Sequence, residues 1–221
     1  DAERVTELNA IIAAGVSRGW QVGTHATGDA TISAVIDAVA KAGPDVGLRH
    51  YVIHGDLVSS PDLRRLATLG MGLNTQPGIR WAVGSAATRF LGRERNLRKQ
   101  PLLRAIEVGV ELALSTDAPV IEPDWRRTIT TAMERNLRDE PTYRDDQCLT
   151  AQQALRAMTH AGAWQCHEER WRGSVGTGMA ADLVILDRQV DWSDPQAVLQ
   201  AQVDTVLIDG VVVHGDLGRA S

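Results

Sequence analysis

The chain has 221 residues, of which 43% are hydrophobic and 23% charged, an ordinary composition for a globular protein. Its formal net charge of −5 argues against binding to nucleic acid or to an anionic membrane surface. No apolar run approaches the roughly 20 residues that a membrane span needs. The two cysteines, Cys148 and Cys166, fit no metal-binding or redox spacing, so we expect reduced thiols in a cytoplasmic protein.

Strand and helix patterns alternate along the first three quarters of the chain. Strands are predicted at residues 20–24, 48–53, 71–75 and 110–114. Helices are predicted at residues 3–18, 30–41, 60–69, 102–108, 125–137 and 150–163, the last capped by Thr150. Residues 76–96 are predicted to form a long irregular loop. Strands that alternate with helices indicate an α/β fold with a parallel sheet.

Four strand–helix units make half of the eight that close a (β/α) barrel of about 250 residues. An open, doubly wound sheet is the structural alternative, although the chain carries no G-x-G-x-x-G fingerprint for a dinucleotide. From residue 173 the pattern changes to strands at residues 181–186, 203–208 and 211–213, with Asp209-Gly210 as a type I′ hairpin turn. We therefore expect an α/β body followed by a small β unit.

Three residues follow predicted strands at the points where catalytic groups of a barrel gather. His25, His54 and Asp117 each lie just past the end of a predicted strand. The carboxyl ends of parallel barrel strands share one face, so these side chains are expected to converge there. Two imidazoles and a carboxylate suit Zn²⁺ or a similar divalent ion. Taken singly, each residue is explained as well by a structural hydrogen bond or a turn, and only their joint placement favours a metal site.

Five segments carry motifs in a fixed order. They are THATGD at 24–29, RHYVIH at 49–54, LNTQP at 73–77, LSTDAPV at 114–120 and GSVGTGMAADLVILD at 173–187. Together they resemble amidohydrolase family 3, the formamide-deformylase-like branch of the metal-dependent amidohydrolases. The resemblance covers nearly the whole chain, and five motifs in register are more specific than any one of them.

The resemblance implies that the chain is the C-terminal portion of such an enzyme. Residues 1–172 would form strands five to eight of a TIM barrel, and residues 173–221 would supply strands of a small β-sandwich domain. His25 and His54 would be the metal ligands of strands five and six, and Asp117 the catalytic carboxylate that also touches the metal. The chain departs from the family pattern at Ile53, where the family has Glu, and at Gly55, where it has Ala.

Four further residues are candidates for supporting roles. Gln76, Arg80 and Trp81 lie in or beside the predicted loop on the catalytic face, where substrate contacts belong. Asp29 could orient His25 by a hydrogen bond from behind the metal site, or it could cap the following helix.

These features predict a metal-dependent hydrolase that cleaves an amide-like C–N bond of a small molecule through a metal-activated water. The cofactor is expected to be zinc, as one or two ions. The family's H-x-H motif and strand-four ligand are absent from the chain, so we expect it to be inactive alone and to pair with a missing N-terminal half or with another copy. The alternatives are a mononuclear aminohydrolase, in which the strand-six His contacts the substrate, and a truncated scaffold without catalytic activity.

Overall fold

The structure is a computed structural model that describes residues 2–43, 45–141 and 145–217. The strands are β1 Gly23–Ala26, β2 Tyr51–His54, β3 Gly72–Thr75, β4 Leu112–Leu114, β5 Leu183–Leu186, β6 Val203–Ile208 and β7 Val211–His214. The helices are α1 Ala2–Val16, α2 Asp29–Ala42, α3 Ser60–Thr68, α4 Pro77–Leu91, α5 Arg93–Leu97, α6 Leu102–Glu107, α7 Trp125–Glu134, α8 Ala151–Met158, α9 His160–Gln165 and α10 Pro195–Gln200. None of these helices is both long and apolar enough to cross a membrane, within the described ranges.

Strands β1 to β4 form one sheet in sequence order, and every neighbouring pair is parallel. Helices connect the strands, as the alternating pattern predicted. A second sheet of β5, β6 and β7 is antiparallel and separate. The chain is thus an α/β partial barrel followed by a small β domain, which confirms the predicted fold class.

The two faces of the parallel sheet carry different residues. In one row of register partners, Val52, Leu73 and Leu112 are all buried in the main hydrophobic core. The next row, on the opposite face, consists of His25, Ile53, Asn74 and Ala113. We call this second side the histidine face.

Helix α9 contributes to the surroundings of the histidine face. The Gln165 side chain accepts a hydrogen bond from Asn74 Nδ2 at 3.0 Å. The Trp164 ring lies 3.0 Å from the position that a Cβ on Gly72 would take. Since Gly72 has no side chain, the indole can approach the sheet closely.

The predicted loop at residues 76–96 is wrong, because α4 and α5 occupy most of it. Two glycines weakened the helical pattern in the sequence, yet tertiary packing needs both of them. A Cβ on Gly78 would lie 2.5 Å from Ile121 Cδ1, and a Cβ on Gly84 would lie 2.4 Å from Leu137 Cδ2. Close approach by residues far along the chain therefore outweighs the poor local propensity.

Smaller differences concern the other helices. The predicted helix at 150–163 is divided into α8 and α9 at Thr159, and the short helix α10 was not predicted. The cap at the start of α8 is confirmed, since Thr150 and Gln153 form a reciprocal capping box.

The small β domain follows the predicted hairpin closely. Asp209 and Gly210 have φ values of 50° and 78°, as a type I′ turn requires at its two central residues. Arg126 Nη1 donates to the Ala201 carbonyl at 2.7 Å and so connects α7 to the end of α10. The predicted division at residues 172 and 173 stays a prediction, and its outer ends, residues 1 and 218–221, lie outside the described residues.

Candidate active site

The two candidate ligand histidines lie on neighbouring strands and touch each other. Their ring centroids are 4.6 Å apart, and the ring planes meet at 78°. His25 is the third residue of β1 and His54 the last residue of β2, so the prediction that both follow their strands is wrong in detail. Both nevertheless lie close to the carboxyl edge of the sheet.

The backbone of His54 explains how the two rings meet. In register, Ile53 is the partner of His25, and His54 is the partner of Ala26. Regular alternation would therefore direct the two histidines to opposite faces. His54 instead has φ of 73°, in the left-handed region that few non-glycine residues adopt. This conformation at the end of β2 interrupts the alternation and brings the imidazole of His54 beside that of His25.

A chain of side-chain hydrogen bonds also links His54 to residues of the neighbouring strands. Its Nδ1 lies 2.6 Å from Gln76 Oε1. The Gln76 amide nitrogen donates to Ser115 Oγ at 2.9 Å and to Asn74 Oδ1 at 3.1 Å. Ser115 Oγ also donates to Asn74 Oδ1 at 2.7 Å. With the Asn74–Gln165 bond, these residues form a polar relay that runs from β2 past β3 to β4 and α9.

Asp117 lies at the same edge of the sheet, two strands beyond His54. It is exposed, three residues after the end of β4, and has φ of 59°. Within the described ranges, no group of three His, Cys, Asp or Glu side chains is arranged to hold a metal ion. The structure thus brings His25 and His54 together and leaves the Asp117 carboxylate outside that pair.

The histidine pair fits a divalent metal as part of a ligand set. Because Gln76 Oε1 is an acceptor, His54 Nδ1 is the donor of this bond, and in the neutral imidazole that arrangement leaves the lone pair on Nε2. A neutral imidazole whose other nitrogen donates to a fixed acceptor is the usual form of a metal ligand. Zinc takes four ligands, so the two imidazoles can supply half of such a set.

The two aromatic and cationic candidates on α4 have different surroundings. Arg80 is 1% exposed, and its guanidinium donates to the Arg135 carbonyl at 2.7 Å and to Asp145 at 3.1 Å. These contacts favour a structural role for Arg80 inside the protein over direct contact with a substrate. Trp81 is half-buried, with the guanidinium groups of Arg127 and Arg138 at 4.4 and 5.7 Å from its ring centroid.

Asp29 is the first residue of α2, and its carboxylate is exposed. One oxygen accepts from the Ala30 N–H at 2.9 Å, and the other pairs with Arg95 at 2.6 Å. A carboxylate in the first turn also complements the helix dipole. Its contacts support the helix-terminal role rather than a hydrogen bond to His25.

Sequence reasoning missed a buried ion cluster beneath α4. Asp145 bonds both Arg80 and Arg135, whose side chains are almost completely buried. Lys99 pairs with Asp56 at 3.0 Å, and Arg135 donates to the Lys99 carbonyl at 2.8 Å. The members come from separate segments without a common spacing, so no sequence pattern marks them.

An open cleft of about 1190 Å³ lies beside α3 and α5. Its lining comes from the start of α3, from α5 and from residues 145–147, and it includes Asp29 and Arg95. Neither His25 nor His54 lines it, so we do not count this cleft as part of the candidate site.

Solved structures share this fold. A metal-dependent hydrolase of Pyrococcus horikoshii OT3, itself uncharacterized, matches 95% of the chain with a TM-score of 0.69 and 26% identity, over 40% of its own length. An amidohydrolase of Thermotoga maritima MSB8 matches 89% of the chain with a TM-score of 0.62 and 21% identity, over 44% of its own length. The partial barrel therefore has a fold that is found in metal-dependent hydrolases.

The sequence comparison is more specific. The model of the amidohydrolase family matches residues 1–214, and the chain belongs to that family. YtcJ of Bacillus subtilis, which bears the name amidohydrolase, is 26% identical over 95% of the chain. N-substituted formamide deformylase of Arthrobacter pascens is 26% identical over 90% of it. The chain spans about two fifths of these relatives, 39% and 38% of their lengths.

Proposed function

We propose that this chain forms the strand five to eight half of the active site of a metal-dependent amidohydrolase that cleaves an amide-like C–N bond. The observation that carries the proposal is the contact between His25 and His54, with His54 Nδ1 tethered to Gln76 and Nε2 left as a lone-pair donor. Membership in the amidohydrolase family supports it. The names of both curated relatives favour amide hydrolysis over deamination.

In this proposal His25 and His54 hold the ion, for which zinc is our choice, as one ion or two. A divalent ion, when bound, supplies Lewis acidity and makes water more acidic, toward a pKa of about 7. Asp117 takes a proton from the attacking water and returns it to the leaving nitrogen. Its exposed position at the carboxyl edge of the sheet leaves the carboxylate accessible for that transfer.

The substrate is proposed to be a small molecule with an amide or formamide group. Trp81 remains a candidate for substrate contact, because its half-buried ring lies on the helix that begins directly after Gln76. The free thiols of Cys148 and Cys166 support a reducing, cytoplasmic environment.

The test uses the polypeptide of the complete reading frame. We expect the purified protein to contain a divalent metal and to hydrolyse members of a panel of N-substituted formamides and N-acyl amines. His54→Gln should lower both metal content and turnover, whereas His214→Gln, at an exposed position in β7, should leave both unchanged. Metal content that is the same in both variants, or hydrolysis that survives His54→Gln, would contradict the proposal.

A further inference from the structure

Gln76 is the buried link between His54 and the rest of the polar relay. Gln76 is only 2% exposed, although it follows β3 directly at the edge of the sheet. Both ends of its amide are bound by the protein, the oxygen to His54 and the nitrogen to Asn74 and Ser115. A substrate would have to displace one of these bonds to reach the amide.

We propose that Gln76 is a positioning residue that fixes the tautomer and the ring orientation of His54. The inference rests on the proposed function, in which His54 is a metal ligand. Gln76 holds the proton on Nδ1, and the relay behind it prevents the amide from turning. The residue acts through His54 and does not itself touch the substrate.

The direction of each amide in the relay follows from its neighbours. If Gln76 were turned over, its oxygen would face Asn74 Oδ1, and two acceptors would meet. Turning Asn74 as well would direct its oxygen toward Gln165 Oε1, which already accepts from Asn74 Nδ2. The three amides of Gln76, Asn74 and Gln165 can therefore turn only together, and in the orientation of the structure they present an acceptor to His54.

Burial makes this arrangement effective. Water that could bond to either imidazole nitrogen would let the two neutral tautomers interconvert, because either nitrogen could then carry the proton. At Nδ1 the acceptor comes instead from a buried side chain at 2.6 Å. The unusual φ of His54 also requires outside support, and the relay ties this residue to β3 and β4.

Nuclear magnetic resonance of the imidazole nitrogens tests the proposal on the metal-free protein. Two-bond ¹⁵N–¹H correlations distinguish Nδ1–H from Nε2–H in a neutral imidazole, and they separate both from the imidazolium form. The His54 signals are assigned by their loss in His54→Gln. We expect Nδ1–H in the wild type and a population of Nε2–H in Gln76→Leu. A wild-type His54 in the Nε2–H form would overturn the proposal.

Two further variants separate positioning from packing. Gln76→Glu keeps the volume of the side chain and an acceptor for His54 but buries a charge, so it should lower stability and yet keep Nδ1–H. Asn96→Leu removes a buried amide on α5 that bonds Gly84 and Thr88, and it should leave the His54 tautomer unchanged. If Gln76→Leu does not fold, the wild type and Gln76→Glu decide, and loss of Nδ1–H in Gln76→Glu would count against the proposal.

Metal affinity in the complete polypeptide gives a second readout. Loss of a residue that orients a metal ligand typically weakens binding roughly 10- to 100-fold, and we expect this of Gln76→Leu for Zn²⁺. If the tautomer depends on Gln76 but no metal binds, the positioning inference stands and the proposed function fails. If metal binds and amides are hydrolysed, but the tautomer of His54 does not change when Gln76 is substituted, the proposed function stands and this inference fails.

Discussion

Arg80 and Asp145 form an ion pair of 3.1 Å at side-chain exposures of 1% and 11%. The same carboxylate also accepts from Arg135 Nε at 3.1 Å. One anion thus serves two buried guanidinium groups, and it ties the first turn of α4 to the segment after α7. Because Gln76 immediately precedes α4, this cluster also supports the edge of the sheet where His54 lies.

Asp145→Asn should destabilise the protein strongly, because it leaves two buried cations without their shared anion. Breaking a buried pair from one side costs roughly 3–5 kcal/mol, and urea denaturation measures the loss. Asp146→Asn is the matched control, since that neighbouring carboxylate is exposed and should change stability by less than about 0.5 kcal/mol. Equal stability of the two variants would argue that the cluster contributes nothing.

Gly84→Ala and Gly162→Ala should have opposite effects. Both glycines are helical, but a Cβ on Gly84 would lie 2.4 Å from buried Leu137, whereas nothing lies within 4 Å of a Cβ on Gly162. Overpacking costs about 1–3 kcal/mol and exceeds the roughly 1 kcal/mol gained in helix propensity, so Gly84→Ala should unfold at lower temperature. Gly162→Ala should unfold at a higher one. Thermal unfolding by circular dichroism compares the two, and stabilisation by Gly84→Ala would show that α4 is not packed as described.

Glu169 should contribute an acid-sensitive part of the stability. Its carboxylate receives two hydrogen bonds from Arg49, each 2.8 Å, and these lower its pKa to about 2. A depressed carboxyl pKa stabilises the fold above the ordinary value of about 4.3, and that contribution is lost as the pH falls from there toward 2. Glu169→Gln should therefore have a lower free energy of unfolding at neutral pH, and that free energy should depend less on pH across this window. Glu168→Gln, whose partner Arg172 is more exposed, should behave like the wild type. Unfolding free energies at pH 2–7 check this, and parallel curves for Glu169→Gln and the wild type would exclude it.

His50 should make folding sensitive to mild acid. Burial lowers the pKa of its imidazole, the Asp45 carboxylate opposes the shift, and Nδ1 accepts the Val22 N–H at 3.0 Å. A lowered histidine pKa means that the unfolded chain binds the proton first, so stability falls as the pH drops below about 6.5. His50→Asn offers Val22 an acceptor without the titration and should lose this slope, while His50→Leu should lose both the slope and stability. A slope that persists in His50→Asn would assign it to another group.

Asp117→Asn tests the proposed proton transfer in the complete polypeptide. An amide cannot accept the proton of the attacking water, so kcat should fall by about 10²- to 10⁴-fold. The fold should persist, because Asp117 is exposed. Asp146→Asn serves again as the control, with unchanged turnover expected. Near wild-type kcat in Asp117→Asn would remove the residue from the mechanism.

Much of the fold could be predicted from local pattern. Short apolar segments between amphipathic helices predicted all four parallel strands to within a few residues, because periodicity reports which face of an element is buried. The turn at Asp209-Gly210 was predictable for a different reason, since few residues other than Gly, Asn and Asp tolerate positive φ at both positions. These features depend on neighbours within a few positions along the chain.

The histidine pair was predictable only in part. Sequence placed His25 and His54 at the ends of adjacent parallel strands, but register alone would put their side chains on opposite faces. The two side chains meet because the backbone of His54 is left-handed, and the residue type at this position does not predict that conformation.

Tertiary structure alone decided the surroundings of the site. Helix α4 contains two glycines that lower its local helix propensity. They are needed there because Ile121 and Leu137 pack where a Cβ atom would lie. Gln76 belongs to the hydrogen bonds of His54, and Arg80 to the ion cluster of Asp145, through partners 22 and 65 residues distant. An unpaired polar group is costly in a low-dielectric interior, so each buried group pairs with whichever partner the fold brings near. Such pairing follows no periodic pattern in the sequence.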